Sequence, residues 1–358
     1  MDIVDTLHKT LIIRFSSVGD IILSSLLIRV FHKRFPQCRI DYLVKSEYAG
    51  LLKSNPHVTK VMEFPAGGGM RDLWRFRRRV RQERYDLIVD IHNSLRSRIV
   101  CFGSRNVVRV RKRKFARFFL VKTKWNLYGW FGGAPGIAER YLETVRFLNV
   151  ENDGNGLEAF FPSSAAAKAR EMLGGELTRN AGAFIGMAPS ARHFNKTWPR
   201  ERFAETAAAI ASDQEAAVLL FGSGATEKAL CGEVKLLIEQ QSPGIPVINL
   251  AGRLTLPETA AMMDHCSVII TNDSGLMHLA AARKRKVVAV FGPTVRELGF
   301  FPYGTESVVI EDTTVPCRPC THIGLSRCPK GHFHCMKNIS PAQVIDAARE
   351  LLARAPVL

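Results

Sequence analysis

The sequence predicts an α/β protein: two doubly wound, Rossmann-like parallel sheets facing a central cleft. Short apolar runs of strand length alternate with helical patterns along most of the chain, which is the pattern of parallel sheets. The alternation lapses before residue 180 and then starts afresh. At 358 residues the chain is also too long for one ordinary domain, and two of roughly 150–180 residues fit it.

Taken in order, TLIIRF (Thr10–Phe15) reads as a buried strand and DIILSSLLIRVFHKRF as a helix with apolar residues at helical spacing. RIDYLV (Arg39–Val44) is the next strand. VTKVMEF and YDLIVDIH continue the series, with an arginine-rich helical stretch between them. PAGGGM is a loop, GWFGGAPGIAERYLETVRFL leads into another helix, and ENDGNG breaks the chain. The second series opens with GAFIGMAPS (Gly182–Ser190). It proceeds through the helix FAETAAAIA, the strand AAVLLFGSG, the helix TEKALCGEVKLLIEQ and the strand IPVINLAG. Pro257 is placed to start the helix LPETAAMMDHC. The strand SVIITNDSG, an alanine-rich helix, and the strands KVVAVFGPT and SVVIE complete the sheet. SPAQVIDAARELLA is a last helix, with Ser340 as N-cap and Pro341 at its first position. The expected division is a first domain over 1–175, a second over 176–340, and a terminal helix over 341–358.

A hydrophobic share of 46% and a charged share of 23% belong to a soluble globular protein. No run approaches the roughly 18 apolar residues of a membrane span. The N-terminus lacks the basic and apolar regions of a signal peptide, so the expected compartment is the cytoplasm, where thiols stay reduced. The net charge of +17 is concentrated: Arg71 to Lys124 holds 18 Lys/Arg against 4 Asp/Glu. RFRRRVRQER and RVRKRKFARFFLVKTKW are its densest parts. Such a stretch is either a solvated helix face or a surface that meets polyanions, namely nucleic acid or an anionic membrane.

In open α/β sheets ligands bind beyond the carboxyl ends of the strands, so the residues following each strand are the candidates. SSVGD (Ser16–Asp20) lacks the G-x-G-x-x-G of a dinucleotide site. It puts Asp20 in the first turn of a helix, where a carboxylate either complements the helix dipole or serves as a general base. Lys196, in the loop before a helix, is either solvated or a phosphate ligand. Glu227, beyond the glycine-rich FGSG, can accept both hydroxyls of a ribose. TNDSG turns sharply from strand to helix and leaves the amides of Ser274, Gly275 and Leu276 at a helix N-terminus, an anion site that glycine lets a diphosphate approach closely. His278 follows within the first turn, either as a buried core histidine or beside the same anion.

LIIRFSSVGDIILSSLLIRVFHKRFP, DLIVDIHNSLRS, APSARHFNKTWPRERFAE and NLAGRLTLPETAAMMDHCSVIITNDSGLMHLAAA with its following VVAVFGPT resemble the bacterial ADP-heptose:lipopolysaccharide heptosyltransferases, glycosyltransferase family 9. The resemblance covers most of the chain in order. It implies a GT-B fold whose terminal helix crosses back to an acceptor-binding N-terminal domain, the second domain binding the nucleotide sugar. It also implies an inverting, metal-independent transfer without a cofactor, from an ADP-linked heptose to an anionic lipopolysaccharide inner-core acceptor at the inner face of the cytoplasmic membrane. On this resemblance Asp20 corresponds to the catalytic aspartate and Ser190 and Lys196 to the phosphate-contacting segment. Asp273 corresponds to the residue that meets the sugar, with Ser274, Gly275, Leu276 and His278 around the diphosphate. Glu227 corresponds to the ribose carboxylate, and Gly252 to Leu254 border the adenine.

Cys317, Cys320, Cys328 and Cys335 stand as C-x2-C-x7-C-x6-C, which suits a structural zinc or iron–sulfur site, packed thiols, or a disulfide. Cys38, Cys101, Cys231 and Cys266 are single and expected in the core. Two other classes stay open at this point. A sugar-nucleotide epimerase would need an acid/base set that is not evident, and a nucleic-acid-binding module would need more than the basic stretch, since no RRM, KH or helix-turn-helix signature is present. The transferase reading expects no nucleic-acid partner.

Overall fold

The computed structural model describes residues 7–175 and 181–354. The expected boundary at 175/176 and the last residues of the terminal helix therefore touch positions outside the described residues. Two compact units are present.

The first contains a five-stranded parallel sheet of β1 (Lys9–Ile13), β2 (Arg39–Lys45), β3 (Lys60–Phe64), β4 (Leu87–Asp90) and β5 (Val107–Arg109) in the order β3-β2-β1-β4-β5. Its central strands are buried on both faces, which explains their unbroken apolar sequence. The arginine-rich helix Met70–Gln82 covers one face through Leu73, Phe76 and Val80, one side of a helix at spacings of three and four. The helix expected after β1 is two, Val18–Leu23 and Ser25–Arg34. At the break, buried Ser24 turns its hydroxyl onto the carbonyl of Ile21, 2.6 Å away, and bonds the Tyr42 hydroxyl at 2.8 Å.

The second unit contains β6 (Ala183–Ala188), β7 (Ala216–Leu220), β8 (Val247–Asn249), β9 (Val268–Asn272), β10 (Lys286–Phe291) and β11 (Ser307–Glu311) in the order β11-β10-β9-β6-β7-β8, again all parallel. The strand order reverses between β1 and β4 in the first sheet and between β6 and β9 in the second, the points where such sheets open a crevice. Thr255 and Glu258 form a capping box at the helix Leu256–Met263, and Ser340 and Gln343 form one at Pro341–Ala353, each with proline in the first turn.

The division of the chain differs from the expected one in two ways. Arg113–Gly136 belongs to the second unit, while Ile137–Phe161 belongs to the first, and everything described from Pro162 onward belongs to the second. The reason is burial: Ala116, Leu120 and Tyr128 form a small core with Leu298. Likewise the helix Ser163–Leu173 lies on Leu256–Met263, with Lys168 Nζ 3.0 Å from Glu258 Oε1. The described part of the terminal helix belongs to the second unit. Pro341–Ala353 packs on the helix Arg200–Asp213 and on β9, β10 and β11, burying Val344, Ala347, Ala348 and Leu351 in the core of the second unit.

Candidate active site

In the first unit, Arg14 follows directly on β1, a charge at the end of the apolar run LII. Its guanidinium donates to the carbonyls of Ser16 (2.7 Å) and Ile91 (2.9 Å) and lies 2.7 Å from Asp20 Oδ1. Arg14 thereby ties the loop after β1 to the residue after β4, across the switch point of the sheet. Tyr141 donates its hydroxyl to Asp20 Oδ1 at 3.0 Å, and Ser17 donates through Oγ (2.9 Å) and its amide (3.2 Å) to Oδ2. Burial alone would raise the pKa of Asp20, but the Arg14 charge and the Ser17 donors outweigh it and hold the carboxyl below its ordinary value. Asp20 is thus an ionised, fully hydrogen-bonded carboxylate. It also completes the capping box of its helix, in the first turn where a carboxylate complements the dipole. Burial keeps the Tyr141 pKa well above the usual phenol value, and its hydroxyl remains a donor.

His92, directly beyond β4, stands edge-on to Phe15 with ring centroids 5.4 Å apart. Burial and the nearby Arg14 and Lys112 charges push its pKa down to about 3, so the imidazole is neutral. Its Nδ1 is buried without a hydrogen-bond partner among the described residues.

In the second unit the switch point brings together the loops after β6 and β9. Asn272 joins them: its side chain donates to the carbonyl of Pro189 (2.8 Å), next to buried Ser190, and accepts from the amide of Trp198 (3.0 Å), two residues beyond Lys196. Lys196 Nζ lies 2.6 Å from Asp273 Oδ2, and Thr294 donates its hydroxyl to the same oxygen at 2.7 Å. Ser274 caps the helix Gly275–Ala282, accepting from the amide of Met277 at 3.4 Å. The amides of Gly275 and Leu276 have no acceptor among the described residues, as the first turn of a helix dictates. The amide of Ser274 likewise has no acceptor among the described residues, so the three amides expected of the anion site are open and only that of Met277 is taken. His278 is buried one turn in, its ring 6.5 Å from that of Phe300.

Glu227 and Gly252 lie apart from this group, at the ends of β7 and β8. Gly252, with φ of +73°, donates its amide to the carbonyl of Gly222 at 3.0 Å and so ties those two loops together. Glu227 Oε2 accepts from the amide of Ser223 at 2.5 Å and caps its own helix, while Ser190, Lys196, Asp273, Ser274, Gly275, Leu276 and His278 cluster at β6 and β9.

The cysteine-rich segment reaches this cluster through a residue the motif search passed over. Buried Arg318 donates to the carbonyls of Gly292, Thr294 (2.9 Å) and Asp312 (2.6 Å) and pairs with Glu311 at 2.5 Å. It thus fixes the loop after β10 that carries Thr294. Leu325 donates its amide to Asn195 Oδ1 at 2.7 Å and accepts from the amide of Asn195 at 3.2 Å, bracing the loop of Lys196. All eight cysteines are free thiols, and no group of three or more His, Cys, Asp or Glu among the described residues is placed to hold a metal ion. Cys335 is buried in the second core with its pKa raised to about 12, burial being the chief cause.

Arg14, Tyr141, His92, Thr294 and Arg318 complete the two sites. Arg14 and Thr294 could have been found, as a charge at the end of an apolar run and a hydroxyl at a strand end. Tyr141 carries no local signal.

Two parallel sheets of this order, each with an ionic cluster beyond its switch point and one ending in a helix-capped anion site, define a protein that handles a nucleotide-linked substrate. The chain matches the family model for glycosyltransferase family 9 (heptosyltransferase) over residues 73–328 and belongs to that family. It is 30% identical over 305 residues to lipopolysaccharide heptosyltransferase 2 of Escherichia coli (strain K12), covering 80% of this chain and 83% of the relative. Among solved structures it resembles the glycosyl transferase family 9 protein of Veillonella parvula DSM 2008, with a TM-score of 0.78, 21% identity and coverage of 97% and 98%. It also resembles the ADP-heptose LPS heptosyltransferase II of E. coli, with a TM-score of 0.70, 25% identity and coverage of 96% and 98%. The fold is GT-B and the protein is a glycosyltransferase, which favours transfer over the epimerase alternative.

Proposed function

We propose that this enzyme moves a heptose from ADP-heptose onto the inner core of a lipopolysaccharide precursor, with inversion at the anomeric carbon. The observation that supports it most is the Lys196–Asp273–Thr294 cluster beside the open amides of Gly275 and Leu276. A diphosphate placed on those amides has Lys196 in reach as a second cation. An ammonium has three donors, so Lys196 can hold Asp273 and a phosphate oxygen together. Asp273 is then the acceptor for a hydroxyl of the sugar, and Glu227 and Gly252 serve the ribose and adenine.

In the transfer, the acceptor hydroxyl attacks the anomeric carbon as ADP departs from the opposite face. The sugar becomes oxocarbenium-like, and the charge developing on the diphosphate is met by Lys196 and the helix start. Asp20 takes the hydroxyl proton. A carboxylate of lowered pKa is a weak base, but the proton becomes strongly acidic as the new bond forms, so the transfer comes late and Asp20 suffices. The acceptor is a phosphorylated lipid glycan. Arg71, Arg75, Arg78 and Arg79, all exposed on the helix Met70–Gln82, offer it cations at the inner face of the cytoplasmic membrane. No described helix is long and apolar enough to cross a membrane.

Incubation with ADP-heptose and inner-core precursors with and without a first heptose should release ADP and add one heptose by mass to one of them. Transfer from a different sugar nucleotide in preference would overturn the donor assignment.

A further inference from the structure

A surface helix of ordinary design turns apolar residues inward and polar ones outward. Lys114–Thr123 does not. Its inner side is Ala116 and Leu120, and its outer stripe at 115, 118 and 122 carries Phe115, Phe118 and Lys122. Phe115 and Phe118 are each 57% exposed. The chain that follows adds Trp125 at 65%, Trp130 at 83% and Phe131 at 45%. Phe115, Phe118, Phe119, Trp125 and Phe131 form one patch. Phe119 lies 4.6 Å from Phe115, 5.7 Å from Phe118 and 6.5 Å from Trp125, on which it stacks. Phe115 lies 6.2 Å from Phe131, with exposed Trp130 the adjacent residue in the chain. Exposed aromatics in a continuous patch mark a surface that meets an apolar partner.

The charge around the patch says which partner. Arg113–Gly136, the segment that carries the patch within the second unit, has five Lys/Arg and not one Asp or Glu. Lys114 and Lys122 stand exposed on the helix itself. Aromatic rings flanked by cations, with the carboxylate of Glu297 held 3.1 Å from Asn126 Nδ2, complement the boundary between acyl chains and acidic headgroups. A protein partner would have to be both acidic and apolar over the same face, a combination that an anionic bilayer presents everywhere.

We propose that Lys114–Phe131 is a membrane-docking face, its aromatic side chains seated in the interface of an anionic bilayer and its lysines on the headgroups. This rests on the reading of the acceptor as a membrane-borne lipid and names the element that reaches it. The basic helix Met70–Gln82 belongs to the first unit, with an apolar side committed to its own core.

The test is co-sedimentation of the full chain with vesicles of phosphatidylcholine and phosphatidylglycerol at 3:1, against phosphatidylcholine alone. Wild type should bind the mixed vesicles at least about tenfold better, and added salt should weaken but not abolish that binding. The double substitution Phe118→Ser with Trp130→Ser should reduce the partition coefficient about tenfold, equivalent to about 1.4 kcal/mol. Trp74→Ser, which removes an exposed aromatic of the first unit, should bind as wild type. The thermal midpoint, and heptose transfer to a water-soluble, deacylated acceptor, should be unchanged in the double variant. Equal partition of wild type and the double variant would overturn the proposal. So would binding indifferent to phosphatidylglycerol, or aromatic-dependent self-association without vesicle binding. A wild type that fails to bind the mixed vesicles yet transfers heptose to the soluble acceptor counts against this face alone. Vesicle binding intact with no transfer counts against the transferase reading alone.

Discussion

Lys196 and Asp273, taken from the sequence as a phosphate ligand and a sugar ligand, are partners in one largely buried ion pair 2.6 Å long. Neither can be removed without stranding the other. A buried charge left alone typically costs about 3–5 kcal/mol. Lys196→Ala should therefore lower the thermal midpoint as well as weaken ADP about 10- to 100-fold, the range for a lost charge-assisted contact. The double variant Lys196→Met with Asp273→Asn separates the effects. Its stability should recover while ADP affinity stays low and adenosine binding is unchanged in calorimetric titration. Equal losses for adenosine and ADP would show that Lys196 supports the fold and not the diphosphate.

Asp20→Asn should leave ADP-heptose binding nearly intact and reduce kcat by about 10²–10⁴-fold, the usual contribution of a general base. Tyr141→Phe, which removes one of the donors to Asp20, should have a smaller effect on kcat. An Asp20→Asn enzyme that keeps more than about a tenth of the wild-type rate rules out base catalysis there.

The pH dependence follows from the environment of Asp20. Its folded pKa lies below the ordinary 3.8, so the carboxylate is ionised at neutral pH and its contribution to stability exists above that ordinary value. That contribution is lost as pH falls through the lowered folded value. The acid limb of kcat/KM should accordingly lie below the range of a free carboxylate. Arg14→Met removes the opposing charge and leaves burial in force, so the limb should move upward. An unmoved limb in Arg14→Met would assign the titration to another group.

Arg318→Met should destabilise the second unit by more than about 2 kcal/mol, because it leaves buried carbonyls of the β10 loop without donors. Thr294→Val should cost less stability, yet both should raise KM for ADP-heptose by loosening Asp273. If Arg318→Met lowers the melting temperature without changing KM, Arg318 holds the fold and does not position the site.

Reversing the charge of Arg75, Arg78 and Arg79 together should weaken binding of the anionic acceptor at low salt and leave ADP affinity unaltered. Each cation near such a surface contributes on the order of 1 kcal/mol, screened by salt. Unchanged acceptor KM would return that helix face to plain solvation.

Both sheets were legible because parallel strands buried on two faces leave continuous apolar runs, and because prolines and capping residues mark helix starts at Pro257 and Ser340. The capped helix start after β9 was legible because an Asn-Asp-Ser-Gly turn between strand and helix is a local signal. What escaped was contact between distant segments. Tyr141 reaches Asp20 across 121 positions, and Arg318 reaches Thr294 across 24, through side chains whose local sequence is unremarkable. The break at Ser24 escaped because a serine can interrupt a helix by bonding backward without altering its apolar spacing. The allegiance of Arg113–Gly136 depends on Leu298, a partner no local pattern names.

That allegiance sets how the gene can be cut. The chain passes from one unit to the other after Lys112, after Gly136 and again after Phe161. No single cleavage of the reading frame yields both units whole. A fragment ending near residue 175 would carry Ala116, Leu120 and Tyr128 with nothing to bury them, and the complementary fragment would bare Leu298. Either half made alone should misfold or precipitate. Exchange of acceptor-binding parts with a relative would succeed only if the grafts were taken in two pieces, on either side of 113–136.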